Sequence, residues 1–340
     1  MAQDNSEALR AFDRHVAPQL LRLEKDREAA LAQMASRRWP AIVGTIAVTL
    51  GGAGLGYIFD FAFQAMLFAG VLGGMGLWIW YGAPGGAFEE VQRTAVMTAI
   101  CDQIGDLRYL RKVEDRSFDL DPFREAKVIP SHSSRELEDL ISGTYRGADF
   151  MLVEAKLTRR SGKNNRSTVF KGLLLRISLP RRVISGPVII TKDYGSMLGL
   201  MNTMAGWMTP GSRVAIPHEA FEAAYEVYAG DSDEALAVIT PQFVENFLQL
   251  PDVLGSDKLL AAFENSSFLL SAQDTSPFLG AFSVNVSMQE LRDVFVQTHA
   301  ETRIIHRVID QLLEGDRYAP NASSFDRYSS RSDRYGSSNA

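Results

Sequence analysis

The chain has 340 residues, of which 46% are hydrophobic, and its formal net charge is −6 at pH 7. This acidic balance argues against a general nucleic-acid-binding protein. The single cysteine, Cys101, excludes an intramolecular disulfide framework and is typical of a reducing compartment.

One apolar run, from Trp39 to Pro84, contains a single charged residue, Asp60. As a straight helix its 46 residues would reach roughly 69 Å, whereas the hydrocarbon core of a bilayer is about 30 Å thick. The run therefore fits two crossings, and these are helices because lipid cannot satisfy backbone polar groups. We predict a transmembrane helical hairpin over residues 39–84, with helices over about 41–59 and 63–81. Asp60 falls at the expected turn, so we interpret it as a turn residue rather than as a proton or ion site.

The distribution of basic residues predicts the orientation of this hairpin. Five of them precede the run closely, and no Lys or Arg occurs from Trp39 to Gln92. By the positive-inside rule the tip of the hairpin is translocated and both flanks stay cytoplasmic. The predicted localisation is the inner membrane, with two crossings and cytoplasmic N- and C-termini. The five residues are Arg22, Lys25, Arg27, Arg37 and Arg38.

Four glycines in the run are candidates for helix packing in the membrane. They form two pairs with a spacing of four residues, Gly52 with Gly56 and Gly70 with Gly74. Small residues at this spacing lie on one helix face and let two helix backbones approach closely in lipid.

Helices are also predicted on both sides of the hairpin. Residues 1–38 form a cytoplasmic amphipathic helix from about Ser6, and residues 85–142 hold a stalk helix, Phe88–Val113, and a linker. The sequence Pro84–Gly86 is expected to end the second crossing. The two flanking helices either pair as an antiparallel stalk or pack separately on the soluble domain, and the sequence favours neither arrangement.

From Gly143 the hydrophobic period becomes that of β-strands, which predicts a cytoplasmic α+β domain over residues 143–314. Its sheet is mostly antiparallel, and a long amphipathic helix from Ser287 to Glu314 closes it. A shorter helix is predicted from Pro241, with Thr240 as its N-cap. The predicted strands are 144–158, 168–179, 187–191, 214–216, 225–228, 236–239, 259–263 and 267–272. Residues 315–340 are rich in Ser, Arg and Tyr without apolar periodicity, and we predict a disordered tail there.

Three stretches of the domain, Ser142–Gly147, Val153–Leu157 and Val169–Leu174, resemble an uncharacterised family of bacterial two-pass membrane proteins, domain of unknown function 3137. The Phe-x-Gly-Leu-Leu element of the third stretch is the most specific of them. The likeness covers roughly Leu9 to Leu313 and leaves the tail uncovered. It implies two close membrane helices followed by a strand-rich domain, and a small membrane-anchored partner protein of the LemA type. It implies no activity, cofactor or catalytic residue.

The strongest local charge feature is the segment Ala155–Arg182, which has nine basic residues and no acidic residue. Four of the nine cluster at a predicted hairpin tip, where they are candidates for contact with an anionic membrane surface. A solvated, charged turn is the alternative that we favour, because strand ends are commonly charged. The four residues are Arg159, Arg160, Lys163 and Arg166.

No residue pattern predicts catalysis, a metal or a cofactor. The sequence Ser161–Lys163 lacks both the earlier glycine and the following Ser or Thr of a phosphate-binding loop. His299 and His306 are two helical turns apart, which is too far to share a metal ion. Cys101 has no basic partner close in sequence, so a buried hydrophobic role is favoured over that of a nucleophile.

We therefore expect an integral inner-membrane protein that is not an enzyme and that acts as a membrane-tethered interaction or regulatory module with a protein partner. The alternative is a domain that binds anionic lipid or a small ligand through residues 156–182. An enzyme of another type comes third. The sequence does not decide whether the chain forms a homo-oligomer. Nucleic acid is not an expected partner.

Overall fold

A computed structural model gives the fold of the chain. Contacts divide the chain into two compact units: the first comprises Met1–Gly105 and Leu279–Thr302, and the second comprises Asp106–Phe278 and Arg303–Ala340. The residues that the structure describes are 9–10, 12–58, 62–105, 107–114, 116–161, 165–179, 184–192, 211–274 and 282–317.

Two long helices dominate the first unit. A π-helical turn, Phe12–Val16, leads into α1, Ala17–Ile58, and helix α2 spans Ala62–Ile104. Each helix contains a proline, Pro40 in α1 and Pro84 in α2. The prediction of separate membrane and flanking helices, with a break at Pro84, is therefore wrong, because contacts between α1 and α2 stabilise the helix across the proline. The predicted turn around Asp60 lies outside the described residues.

Helix α2 ends before Gly105, whose φ of 85° is the left-handed conformation that glycine readily adopts after a helix. The Gly105 amide donates a hydrogen bond to the Cys101 carbonyl oxygen at 3.0 Å. The predicted helix Phe88–Val113 is thus too long. Residues Leu107–Lys112 instead form strand β1, along which exposure alternates from one residue to the next.

The second unit is built on one large antiparallel sheet, which confirms the predicted α+β class. Its nine described strands lie in the order β1-β2-β3-β4-β9-β8-β5-β7-β6. Strand β1 and most of β2 fall within residues 85–142, so the sheet begins in the segment predicted to be a stalk helix and linker. The strands are β1 Leu107–Lys112, β2 Ser134–Tyr145, β3 Ala148–Ser161, β4 Asn165–Ser178, β5 Ile184–Lys192, β6 Ser212–Val214, β7 Tyr225–Ala229, β8 Lys258–Asn265 and β9 Ser267–Gln273.

The turn between β2 and β3 corrects the predicted strand 144–158. Arg146 and Gly147 have φ values of 52° and 80°, and Tyr145 pairs with Ala148 across them. Two consecutive left-handed residues between paired strands form the tight hairpin turn that suits the twist of a sheet. The sequence predicted an uninterrupted strand because arginine rarely adopts a positive φ.

Short helices connect several of the strands. Thr240 caps the predicted helix, since its hydroxyl accepts a hydrogen bond from the Phe243 amide at 3.2 Å. The predicted strand 236–239 is wrong. Its residues follow Asp231, whose carboxylate accepts a hydrogen bond from the Asp233 amide at 2.8 Å and so caps a helix. These helices are α3 Asp121–Glu125, α4 Glu219–Glu222, α5 Ser232–Val238, α6 Pro241–Phe247 and α7 Leu250–Leu254.

The last helix, α8, spans Met288–Arg317 and supplies residues to both units. Ser287 and Glu290 form a capping box at its start. The Ser287 hydroxyl accepts a hydrogen bond from the Glu290 amide at 3.3 Å, and the Ser287 amide donates to the Glu290 carboxylate at 2.8 Å. The helix begins where the sequence predicted it. The predicted tail lies outside the described residues from position 318 onward.

Aromatic and aliphatic side chains pack the first unit together. The rings of Phe12 and Phe295 meet edge to face with centroids 5.5 Å apart. Ala30 of α1, Phe88 of α2 and Val284 form a separate buried cluster. Residues of both predicted flanking helices therefore pack together within the first unit.

Both faces of the sheet in the second unit are covered. The segment 118–129 packs on one face, against side chains such as Val153 and Leu157 of β3. Side chains alternate along a strand, so Leu152 points to the other face, where it lies near Ile305 of α8. The segment 118–129 and the second part of α8 thus lie on opposite faces of the sheet around β3 and β4.

Gly172 of β4 is required by the close approach of β9. A Cβ atom at this position would lie 2.0 Å from the Ala272 carbonyl oxygen, a backbone atom that cannot move without distorting the strand. We expect Gly172→Ala to lower the free energy of unfolding by about 3 kcal/mol, at the upper end of overpacking costs. Chemical denaturation of the full-length chain measures this change.

Gly186→Ala in β5 is the matched control, because a Cβ atom there would meet open space. Equal stability losses for the two variants would show that the loss of glycine itself, and not the contact with Ala272, matters.

Candidate functional site

Small residues bring α1 and α2 into close antiparallel contact. A Cβ atom added to Gly73 would lie 2.5 Å from Val48 Cγ1, and one added to Gly70 would lie 3.1 Å from Thr49 Oγ1. Because the β-branched Val48 and Thr49 are stiff side chains, a larger residue at either glycine would push the helices apart. The pair also includes Gly74, where an added Cβ would lie 3.2 Å from Thr45.

The four glycines predicted to pack helices thus have different positions. Gly70 and Gly74 face α1, and Gly52 is buried within α1. Gly56 lies in the last turn of α1. The four-residue spacing did not indicate Gly73 or Gly44, because neither has a glycine four residues away. An added Cβ at Gly44 would lie 3.0 Å from Leu77.

Arg37 supplies a hydrogen bond that Pro84 removes from α2. In an α-helix the amide of residue 84 would donate to the carbonyl oxygen of residue 80, but proline has no amide hydrogen. The Arg37 guanidinium donates to the Trp80 carbonyl oxygen at 2.9 Å and lies 4.9 Å from the centroid of the Trp80 ring. The freed carbonyl oxygen is therefore paired from the opposite helix.

The outward faces of the helix pair carry large apolar side chains. Trp39 is 71% exposed and Phe68 is 70% exposed, and further residues on both helices expose more than half of their surface. Among the residues that the structure describes, no helix offers a stretch long and apolar enough to span a membrane. The other residues of this exposed apolar face are Val43, Ile46, Leu50, Val71, Leu72, Met75, Trp78 and Ile79.

The basic tip predicted from the sequence contains a two-stranded projection, described over residues 158–161 and 165–168, which we call the basic arm. Strand β2 reaches only to Ser134, which pairs with Thr158, and β9 reaches only to Gln273, which pairs with Gly172. Beyond these pairs β3 and β4 hydrogen-bond only to each other among the described strands. The arm therefore extends past the body of the sheet.

The predicted basic residues lie on both faces of the arm. Arg160 pairs directly with Arg166, so these two side chains share one face. Arg159 pairs with Ser167 and lies on the opposite face. All three arginines are exposed, whereas Lys163 lies outside the described residues. The sequence could not place Arg166 on the face of Arg160, because a bulge between Leu157 and Thr158 shifts the strand register.

Lys156, at the base of the arm, differs from the three arginines. Its ammonium group donates a hydrogen bond to the Glu136 carboxylate at 2.8 Å. The two residues pair across β2 and β3, which is the geometry of a cross-strand ion pair. Lys156 is therefore neutralised locally.

A buried polar cluster fixes a bulge in β2. The register shifts between Glu138 and Ile141, and the intervening Asp139 is buried with a φ of 55°. Its carboxylate accepts hydrogen bonds from the Tyr109 hydroxyl at 2.5 Å and from the Arg111 guanidinium at 3.0 Å. Since both oxygens of the carboxylate have donors, this cluster stabilises the pairing of β1 with β2.

A second polar cluster attaches α8 to the β2–β3 turn. The His306 ring stacks on the Tyr145 ring with centroids 3.9 Å apart, and it meets the Phe150 ring edge to face. One turn further along α8, the Asp310 carboxylate accepts hydrogen bonds from the Tyr145 hydroxyl at 3.2 Å and from the Arg146 guanidinium at 2.5 Å. The contacts join residues about 160 positions apart in the chain.

Other residues considered from the sequence have structural surroundings. Burial raises the pKa of the Cys101 thiol to about 12, and Asp102 adds to the shift, so the thiol is protonated and a poor nucleophile at neutral pH. His299 is buried in the first unit, whereas His306 packs in the second. The cavity next to α8 has aliphatic walls formed by Leu152, Leu173, Leu175, Leu254, Leu270, Ala272, Ile305 and Val308.

Comparison with known families gives one match, over residues 168–309, to a family described as Protein of unknown function (DUF3137). Residues 168–309 are similar to this family, and we call them the DUF3137 region. It runs from within β4 to within α8 and contains the Phe-x-Gly-Leu-Leu element, so the family that Val169–Leu174 indicates is confirmed. The stretches Ser142–Gly147 and Val153–Leu157 lie outside the match. No curated protein and no solved structure matches the chain significantly.

The role of Arg37 predicts energetic coupling to Pro84. Arg37→Gln should lower the thermal stability of the full-length chain, because the Trp80 carbonyl oxygen loses its donor. In a Pro84→Ala background the backbone amide of residue 84 restores that donor, so the same Arg37 substitution should cost about 1 kcal/mol less. Thermal unfolding is monitored by circular dichroism for the wild type, the two single variants and the double variant. The difference between the two Arg37→Gln effects measures the coupling. Additive losses would contradict the assigned role.

The DUF3137 region also contains a group whose titration should affect stability. Burial lowers the pKa of His306 from its usual 6.5, and Arg303 acts in the same direction, while Asp310 opposes them. The folded state thus favours the neutral imidazole. Its contribution to stability is complete above pH 6.5 and is lost as the pH falls from there through the lowered pKa.

Denaturation midpoints of the full-length chain at pH 7.5 and pH 5.5 test this expectation. His306→Gln should reduce the difference between the two midpoints, because glutamine does not titrate. His132→Gln, in the loop before β2, is the control and should keep the wild-type difference. If His306→Gln leaves the pH dependence unchanged, burial of His306 does not govern it.

Proposed function

We propose that the chain is a two-pass membrane protein that holds its α+β domain at the cytoplasmic face of the inner membrane, where the domain acts as an interaction or regulatory module. The observation that carries this proposal is the exposed apolar face of α1 and α2. In water, leaving a large apolar side chain exposed forgoes about 1.5–3 kcal/mol of burial energy. A face with ten such side chains exceeds the scattered apolar exposure of a soluble protein.

Three features favour lipid over a protein as the cover of this face. The face lies within the run Trp39–Pro84, which has one charged residue in 46. The contact between the helices relies on glycine and threonine, which is the packing typical of helices in lipid. Trp39, Trp78 and Trp80 lie toward one end of the helix pair, where an interfacial belt of aromatic residues is expected.

The orientation follows from charge. Five basic residues lie just before the run, and no Lys or Arg occurs between Trp39 and Gln92. This distribution supports cytoplasmic N- and C-termini. The short translocated turn leaves little chain to bind an external ligand. The α+β domain is therefore proposed to act on the cytoplasmic side.

We propose that the domain acts by binding rather than by catalysis. Its described polar clusters are engaged in structural contacts: Asp139 with Tyr109 and Arg111, and Asp310 with Tyr145 and Arg146. The family resemblance favours a small membrane-anchored protein of the LemA type as the partner. A second candidate function, binding of anionic lipid or a small ligand through residues 156–182, is favoured by the exposed arginines of the basic arm.

A pair of matched substitutions tests the membrane proposal. Val71 and Val91 both lie on α2 and are 56% and 51% exposed, but only Val71 is within the apolar run. If lipid covers the run, Val71→Lys places a charge near the middle of a crossing, at a cost of about 2.5–3.5 kcal/mol. Val91→Lys places the same charge in water at little cost.

The measurement is extraction of the full-length chain from bacterial membranes with alkaline carbonate. Wild type and Val91→Lys should stay in the membrane pellet, whereas a large part of Val71→Lys should be released or degraded. Equal behaviour of the two lysine variants, or release of the wild-type chain by carbonate, would overturn the membrane proposal.

A further inference from the structure

We propose that the basic arm binds the headgroups of anionic phospholipids through Arg159, Arg160 and Arg166. This inference rests on the proposed membrane anchoring, and it adds a second, polar contact with the lipid surface. Four observations carry it: the projection of the arm, its unpaired charges, its lack of apolar side chains and its two charged faces.

The projection leaves the arm free to meet a surface. Strand β2 ends at Ser134, which pairs with Thr158, and β9 ends at Gln273, which pairs with Gly172. The three arginines therefore lie beyond the part of the sheet in which β2 and β9 flank β3 and β4. The last contact at the base is made by Ser133, whose hydroxyl oxygen accepts a hydrogen bond from the Arg160 amide at 3.0 Å. The side chains of Arg159, Arg160 and Arg166 are nevertheless exposed.

The three arginines of the arm have no acidic partner among the residues that the structure describes. The segment 155–182 has no acidic residue, and none of the described residues forms an ion pair with the three arginines. Arg160 and Arg166 also lie directly opposite each other, and like charges in this position destabilise a strand pair. An external anion between the two guanidinium groups would remove that repulsion.

The composition of the arm favours a headgroup layer over a protein partner. Its sequence is Thr-Arg-Arg-Ser-Gly-Lys-Asn-Asn-Arg-Ser-Thr, without an apolar or aromatic residue. Protein interfaces depend on buried aromatic or apolar anchors at their centre, and the arm has none to offer. A headgroup layer is polar and rich in phosphate, to which guanidinium groups bind through two parallel hydrogen bonds.

The two faces of the arm favour a layer over a single small ligand. Arg160 and Arg166 share one face, but Arg159 lies on the other, so one small anion cannot contact all three. Headgroups that surround an inserted hairpin contact both faces at once. All three arginines therefore contribute to lipid binding and only two to the binding of a free phosphate.

The experiment uses the full-length chain in lipid nanodiscs, with a spin label on Ser167→Cys and with the buried Cys101 replaced by alanine. The exposure of the label to a water-soluble relaxing agent reports whether the arm is free. We expect protection in nanodiscs that contain phosphatidylglycerol and none in nanodiscs of phosphatidylcholine alone. High salt should remove the protection, because the contact is electrostatic.

Substitutions assign the effect to the arginines. Each Arg→Gln change at 159, 160 or 166 should shift the equilibrium between protected and free arm about fivefold toward the free state, and the three together about 100-fold. Lys156→Gln is the matched control, since Lys156 is exposed on the same strand but already paired with Glu136. It should leave the protection unchanged.

Each alternative gives a different result. Protection that is equal in neutral and anionic nanodiscs, or that survives the triple substitution, would overturn lipid binding by the arm. A different result is protection of the label by inorganic phosphate in phosphatidylcholine nanodiscs, only while Arg160 and Arg166 are present and whatever residue stands at 159. That result would assign the site to a free anion instead. Failure of the chain to enter nanodiscs would overturn the membrane anchoring as well, whereas normal entry without protection would overturn only the arm.

Discussion

The close antiparallel pairing of α1 and α2 is the constraint on which the first unit depends. Two helices approach closely only where one presents small residues, and here Gly70, Gly73 and Gly74 of α2 admit the β-branched side chains of α1. The approach in turn lets Arg37 reach the Trp80 carbonyl oxygen on the opposite helix. That hydrogen bond compensates for Pro84, so α2 continues as one helix of 43 residues. A proline that would end an isolated helix is accommodated because a second helix lies against it.

The second unit depends on an analogous approach of two backbones, in this case between strands. Gly172 lets β9 pass close to β4, and this glycine belongs to the Phe-x-Gly-Leu-Leu element within the DUF3137 region. The element therefore has a physical meaning: large apolar side chains fill the core, and the glycine permits the strand contact between them. The same pairing continues into Leu173 and Leu174, which are buried on opposite faces of the sheet.

Sequence patterns predicted the helices and strands that many residues specify, and they missed the helix ends and turns that depend on a single residue. The long amphipathic period located α8, and alternating apolar residues located most strands, because each involves many residues that agree. The end of α2 depends on Gly105 alone, and the β2–β3 turn depends on Arg146 adopting a positive φ. The strand predicted over 236–239 failed because the capping of α5 by Asp231 outweighs the β-propensity of the residues that follow. A single cap or left-handed residue can thus decide an element that composition leaves ambiguous.

The candidate site shows the same division. Clustering in the sequence was enough to select the basic residues, but the sequence could not separate Lys156, which Glu136 neutralises, from the arginines that project beyond the sheet. Nor could it place Arg166 on the same face as Arg160, because that depends on strand register. Charge count alone therefore overstates the number of groups available to a ligand. The groups that matter for binding are those whose charge the fold leaves uncompensated, and in this chain they lie on an arm that contributes no apolar side chain to the core. Such an arm adds little to the core, which agrees with the proposal that it binds a partner outside the chain.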